Sequence, residues 1–351
     1  MTSAVVEQSP AAPTRSLGWL SGPLDGIIAF GFVPFYLWIL TTPLVGDVKA
    51  HAYGDAFTAA FAFALAVNWV HRHFVYLLFF GDPQQRARHP RGFWFLPISI
   101  VVVVGSYFVW HRAFIAISWI LAAWNIWHTL MQRHGIFRAY AARSGVLGGG
   151  RRDLALIWSL MAVTLFAVIA FDQWSFSGPA AVAWKQLGFI SQHPELQLGL
   201  LFASVAVAAV VAAWWLRGEL AEKPRTSRLP RLLFLASTLL LLTIVILHGP
   251  VVGFLVFSIA HAVEYIAFVH VYTGKRARSD DAPLSIQALG RVVPFVVVTA
   301  VLLVSFVALR PIWSWAAVTV YYLTTSALHY LYDGLIWKIR RPEVRAPIVA
   351  A

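Results

Sequence analysis

The sequence predicts an all-α fold: a polytopic integral membrane helical bundle of about ten transmembrane helices. Three observations predict it. The chain has 351 residues, 60% of them hydrophobic and only 12% charged, where a soluble domain is nearer a quarter charged; its mean hydropathy is +0.72. Apolar runs of the roughly 20 residues needed to cross a bilayer recur from end to end. Lysine and arginine gather in the connections on one side of those runs, which is the positive-inside pattern.

The elements follow in order. Residues 1–18 are polar and contain proline, lack the basic start and apolar core of a signal peptide, and are expected to form a disordered cytoplasmic tail. Residues 19–338 are expected to form a single transmembrane domain with spans near 26–45, 56–80, 93–110, 113–132, 154–171, 198–216, 232–248, 251–273, 292–309 and 311–337. The seventh and eighth are separated only by Gly249-Pro250, a breaker pair suited to a tight turn. An amphipathic stretch from Trp174 to Gln197 reads as a surface helix or loop. Residues 339–351 form a basic cytoplasmic tail. With this segmentation, one side carries 22 lysines and arginines, the other four, and Arg72 falls within a span. That asymmetry supports ten spans with both termini in the cytoplasm; the expected location is the cytoplasmic membrane of a bacterium.

Composition also excludes function classes. The chain has no cysteine, so disulfides, iron–sulfur clusters and thiolate chemistry are ruled out. The net charge of +12 resides in short loops facing anionic lipid heads, and no nucleic-acid-binding motif accompanies it; no nucleic-acid partner is expected. Any metal must be held by nitrogen and oxygen donors, and the chain has 12 histidines.

Ionisable residues inside spans are costly and mark function by default. They concentrate in four spans. The second carries Asn68, His71, Arg72 and His73; the fourth Asn125, His128 and Gln132; the eighth His261, Glu264 and His270; the tenth His329 and Asp333. All four are even-numbered, so all run in one direction, with their polar residues toward the cytoplasmic end. Asn68/His71, Asn125/His128 and His261/Glu264 are i,i+3 pairs, and His128/Gln132 and His329/Asp333 are i,i+4 pairs, spacings that put both members on one helix face. Four faces of this kind aimed at one centre would supply imidazole and carboxylate to a metal such as iron, manganese or zinc. The expected ligands are His71, His128, His261, Glu264, His329 and Asp333. Asn68, Asn125 and Gln132 are expected to hold imidazole tautomers as supporting residues, with His73, His134 and His270 as alternatives or supporting groups. His51, His89, His111, His193 and His248 read as surface residues. Arg72 is expected to snorkel, or to pair with Asp333 or Glu264. Inward-pointing carboxylates and histidines in helical register resemble the logic of di-metal bundles, so one or two ions are anticipated.

The design resembles the membrane-bound multi-histidine iron oxygenases, the class of fatty-acid desaturases and alkane hydroxylases, without their His-x-x-His-His boxes. It is nearer in kind to the bacterial Brp/Blh β-carotene-cleaving oxygenases. Their His-x-x-x-Asp motif is matched by His329 and Asp333, and the run His71 to Phe74 is similar to another of their histidine segments; their N-terminal His-Gly-Ala-Leu-Asp motif is missing. The resemblance implies non-haem iron and a polyene or lipid substrate.

The leading expectation is therefore an integral membrane, metal-dependent oxygenase or hydroxylase. It would take a lipid-soluble substrate from the bilayer and electrons from a cytosolic donor. A haem b electron-transfer protein using two facing histidines is the first alternative. A proton-coupled transporter using the same ionisable residues is the second.

Overall fold

A computed structural model describes residues 19–45, 55–146, 148–171, 190, 192–221, 228–279, 281–309, 314–339 and 341–349. The expected N-terminal tail, His51 and most of the amphipathic stretch from Trp174 lie outside the described residues. Among the described residues there are helices and turns but no strand. The helices are α1 (Pro23–Phe30), α2 (Val33–Leu40), α3 (Asp55–Gly81), α4 (Pro83–Arg88), α5 (Phe95–Val109), α6 (His111–Arg143), α7 (Gly150–Ala170), α8 (Pro194–Ala221), α9 (Leu229–Arg276), α10 (Leu284–Gly290), α11 (Val292–Ala308), α12 (Trp315–Ile336) and α13 (Pro342–Val349).

Among the described residues six helical runs are long and apolar enough to cross a membrane: α3, Pro90–Val109, α6 from Arg112, α7, α8 and α9. Two bent pairs, α1 with α2 at 43° and α10 with α11 at 93°, bring the number to eight if each pair is one span. This is fewer than the ten expected, for two reasons. The seventh and eighth expected spans lie within one 48-residue element, α9. The tenth, α12, is helical over 22 residues, but Thr324, Thr325, Ser326, His329 and Asp333 dilute its hydropathy.

Helix α9 is not straight. Gly249 has φ 77° and ψ 175°, a region of backbone space open essentially to glycine alone, and Pro250 follows it without an N–H to donate. A Cβ at Gly253 would sit 3.0 Å from the Cα of Val245, whereas eight residues of straight helix span about 12 Å. The two arms therefore fold back on each other at Gly249-Pro250, and the missing side chain of Gly253 lets them meet.

Among the described residues three hydrophobic clusters form the core, and all use α9. Phe137, Tyr140, Phe234 and Tyr272 join α6 to both arms of α9. Ile39, Ala60, Leu241 and Ile259 join α2 and α3 to it. Phe74, Val269, Leu289 and Tyr332 join α3, α9, α10 and α12. By contrast, α8 and α11 are apolar yet largely exposed: Phe202 is 68% exposed and Val293 is 73% exposed. Apolar faces of this extent are stable only in an apolar surrounding, so the helices at the periphery fit a membrane.

The fourth expected span is longer than its apolar run. Helix α6 continues to Arg143, and Arg133, expected in a cytoplasmic loop, is fully buried. Arg231, also expected in a loop, is buried at the start of α9 and pairs with Asp153 and Glu219 at 2.7 Å each. Asp153 also accepts from Arg138 at 2.9 Å and from Trp215 Nε1 at 2.9 Å. This network ties α6, α7, α8 and α9 together. Burying such charges costs several kcal/mol per ion unless each is paired, which is why every arginine here finds a carboxylate.

Candidate metal centre

Four helices that sequence spacing marks as polar-faced bring their imidazoles into mutual contact. His71 comes from α3, His128 from α6, His261 from the second arm of α9 and His329 from α12; all four are buried. Taken around the centre, His71–His261 ring centres are 4.6 Å apart, His261–His128 5.1 Å, His128–His329 4.8 Å and His329–His71 4.3 Å, while His261–His329 spans 6.2 Å. The four rings thus follow one another around the centre, with His261 and His329 across it from each other.

A carboxylate completes the group. His128 Nε2 and His329 Nε2 are 3.1 Å apart. Asp333 Oδ2 is 3.3 Å from His329 Nε2 and 3.6 Å from His128 Nε2. Adjacent donors about 2.1 Å from one ion stand about 3 Å from each other, so these separations suit ligands of a common ion. Donor atoms fall within 4.8 Å of one another in two sets that share His329: His71/His261/His329 and His128/His329/Asp333.

Unsatisfied atoms point the same way. Neither ring nitrogen of His71 has a hydrogen-bond partner, nor do Nδ1 of His261 and Nδ1 of His329, and all are buried. Each buried polar atom left unpaired costs about 1–3 kcal/mol, and a metal ion is a partner that would offset that cost. The donor chemistry, imidazole plus one carboxylate, is that of first-row transition metals.

Asp333 is held from behind. Tyr265 donates its hydroxyl to Asp333 Oδ1 at 2.8 Å, and Trp337 Nε1 donates to the same oxygen at 3.0 Å and to the Tyr265 hydroxyl at 3.1 Å. Tyr330 packs on His128 with ring centres 4.5 Å apart and donates to Asn125 Oδ1 at 2.7 Å. Sequence reasoning did not single out Tyr265, Trp337 or Tyr330. The signal was present for two of them, because Tyr265 follows His261 by four residues and Trp337 follows Asp333 by four, one helical turn in each case.

Other expected participants lie elsewhere. Glu264 is buried against Arg133, with which it forms an ion pair, and it belongs to neither donor set. Arg133 also donates to Ser237 Oγ at 3.0 Å and Thr238 Oγ1 at 3.2 Å. Asn68 donates to Ser258 Oγ at 2.8 Å and Ala64 O at 2.8 Å, and Gln132 to the backbone oxygen of His261 at 2.9 Å. The three amides expected to hold imidazole tautomers thus bond to other groups. His73 binds Trp69 O at 2.7 Å, His134 binds Gly150 O at 3.2 Å, and His270 binds Leu289 O at 2.8 Å. Arg72 meets neither Asp333 nor Glu264: it donates to Thr325 Oγ1 at 2.9 Å and its guanidinium covers the Tyr322 ring at 3.7 Å. Of the histidines read as surface groups, His248 is half-buried against the Tyr36 hydroxyl at 2.8 Å, because the reversal of α9 carries it onto α2.

Among the described residues, two cavities reach members of the donor sets. One of about 260 Å³ lies between α3, α6, α7 and α9 and reaches His261. The other, about 160 Å³, lies between α6, α9 and α12 and reaches His128 and Asp333. A third and larger space of about 780 Å³, against α3, α5 and α12, is lined by His73 but by no member of the donor sets.

Comparison with known proteins returns no matching family, no matching curated relative and no matching solved structure. No relative therefore supports the likeness to the carotene-cleaving oxygenases. What stands is a buried cluster of histidine and aspartate, able to bind a metal, in an apolar helical fold of membrane type.

Proposed function

We propose that this chain is an integral membrane oxygenase or hydroxylase that depends on non-haem iron and acts on a lipid-soluble substrate. One observation carries the reading: two histidine nitrogens and one carboxylate oxygen, from His128, His329 and Asp333, lie 3.1 to 3.6 Å apart. Two histidines and a carboxylate on one face of an ion are the signature donor set of non-haem iron(II) oxygenases. His71 and His261 belong to the second donor set, which shares His329 with this one.

Iron held there supplies the one-electron chemistry that dioxygen activation requires. The chain's own residues do the rest. Tyr265 and Trp337 fix the orientation of Asp333, and such supporting bonds raise metal affinity. Tyr330 holds the His128 ring against rotation. The apolar walls of α3, α7 and α9 keep bulk water away from the centre, which favours substrates that partition into lipid. Lys338 and Arg341, close after Trp337 in the chain, suit a cytoplasmic face that receives an acidic electron-donor protein. Both termini are assigned to that side by the charge asymmetry.

A haem reading would require a slot for a porphyrin between two of the histidines. His261 and His329, with ring centres 6.2 Å apart, have the spacing for it, but His71 and His128 stand 4.3 to 5.1 Å from both rings, where the porphyrin would lie.

Elemental analysis of purified protein, with an absorption spectrum on the same sample, tests the proposal. One or two irons per chain with no Soret band is the expected result. A Soret band would replace it with haem electron transfer. Protein that binds no metal after anaerobic iron loading would overturn it, and proton-coupled transport would become the assay of choice.

A further inference from the structure

The 260 Å³ cavity has a mouth, an apolar body and an inner end at His261. Ile126, Leu165 and Phe254 line it and are 48%, 38% and 45% exposed, so it opens on the outer apolar surface of the bundle between α6, α7 and α9. Its wall is mostly aliphatic and aromatic, and most of its polar side chains are spent on the protein itself. Thr129 and Thr164 donate to backbone oxygens one turn back, and Asn68 is bonded to Ser258. Asn125 differs. Its Oδ1 accepts from Tyr330, which leaves the amide nitrogen as a donor with no hydrogen-bond partner among the described residues, on the cavity wall. Asn125 lies three residues before His128, so the two share a face about 4.5 Å apart along α6.

We propose that this cavity is the substrate chamber, and that its ligand is an apolar chain bearing one oxygen acceptor, an alcohol or a carbonyl. The inference rests on the metal-centre reading for its placement, not for its ligand chemistry. The chain arrives sideways from the lipid. Asn125 Nδ2 donates to the ligand oxygen, and the adjoining carbons lie toward His261, the donor-set residue on the cavity wall. At about 30 Å³ for a water-sized group, the chamber takes a segment of about eight or nine methylene-sized units. Helix α7 closes it with Met161, Thr164, Leu165 and Val168 and contributes nothing to the donor sets. Residues on α7 therefore set chain length without touching the metal.

The test uses full-length protein in lipid nanodiscs, with and without iron. The probes are a nine-carbon alkanol bearing an alkyl diazirine and the matching alkane without the hydroxyl. After irradiation, labelled residues are mapped by mass spectrometry, and iron per chain is measured on the same samples. The expected result is alkanol label concentrated on α7 and the second arm of α9, competed by unlabelled nonanol. Met161→Trp should reduce it about tenfold with iron content unchanged. Asn125→Leu should reduce the preference for alkanol over alkane about tenfold. Label spread over lipid-facing residues, or label indifferent to Met161→Trp in folded protein, would overturn the chamber while leaving the metal centre standing. Equal labelling by both probes in wild-type protein would overturn the role of Asn125. Specific labelling in protein that cannot bind iron would sustain the chamber and remove the metal reading instead.

Discussion

His128 and His329 meet Nε2 to Nε2 at 3.1 Å although 201 residues separate them in sequence. Two neutral imidazoles at that distance either share one proton or face a common ion. Asp333 Oδ2 stands within 3.6 Å of both, so an ion among the three balances charge as well as geometry. His128→Ala and His329→Ala are each expected to lower bound iron at least tenfold, with helical content retained by circular dichroism. Normal iron in either variant would remove that residue from the ligand set.

Metal removal has a stability consequence. An ion that binds only the folded chain adds about 4 kcal/mol at a thousand times its dissociation constant. Chelation should therefore lower the thermal midpoint of the wild-type protein and leave His329→Ala nearly unaffected. Equal shifts in both would show that the chelator acts elsewhere.

Asp333 receives hydrogen bonds from Tyr265 and Trp337 on one oxygen while the other faces the histidines. Tyr265→Phe deletes one charge-assisted bond without opening a large cavity. A loss of iron affinity of about 10- to 100-fold is expected, read by competition with a chelator of known affinity. Unchanged affinity would mean that Trp337 alone suffices to orient the carboxylate.

Glu264 belongs to Arg133, and both are buried. Glu264→Gln leaves the guanidinium uncompensated and should destabilise the protein by about 3–5 kcal/mol, seen as a fall in thermal midpoint. The chains that fold should carry normal iron. Loss of iron from folded Glu264→Gln protein would return this residue to the ligands. Adding Arg133→Met to the same chain is expected to recover much of the stability, since a well-packed apolar pair avoids the desolvation cost.

Gly249 turns α9 back on itself with φ 77° and ψ 175°. A Cβ is poorly tolerated there, so Gly249→Ala should cost about 1–3 kcal/mol. Gly290 is close to the backbone of Thr273, but its φ is unexceptional, so a substitution there acts through crowding alone. Gly249→Ala and Gly290→Ala should both lower the unfolding midpoint, and truncating a neighbouring side chain should rescue neither, because the strain at Gly249 is in its φ and the atoms crowding Gly290 are backbone.

The amino-acid sequence by itself determined the helical class, the apolar surroundings and the four polar-faced segments. It also marked the turn at Gly249-Pro250. These are properties of composition and of a 3.6-residue period, and both are local. His71, His128, His261, His329 and Asp333 were legible because an isolated polar residue in an apolar helix stands out against its background.

What lies opposite each face is not local. Glu264 sits one turn from His261 and had the same claim to a ligand role. Only the packing of α6 beside the second arm of α9 brings Arg133 to it. The reach of α6 beyond its apolar run hid that arginine in what read as a loop. The amides Asn68, Asn125 and Gln132 likewise found Ser258, Tyr330 and a backbone oxygen, because a helix period fixes which residues share a face but not which neighbour that face meets. The number of membrane-spanning segments diverged for a related reason. Hydropathy measures each stretch alone, while α12 bears polar residues that only the bundle interior accommodates. The buried histidine–aspartate cluster is therefore a product of tertiary structure: four helices supply the donors, and their contacts decide which donors converge.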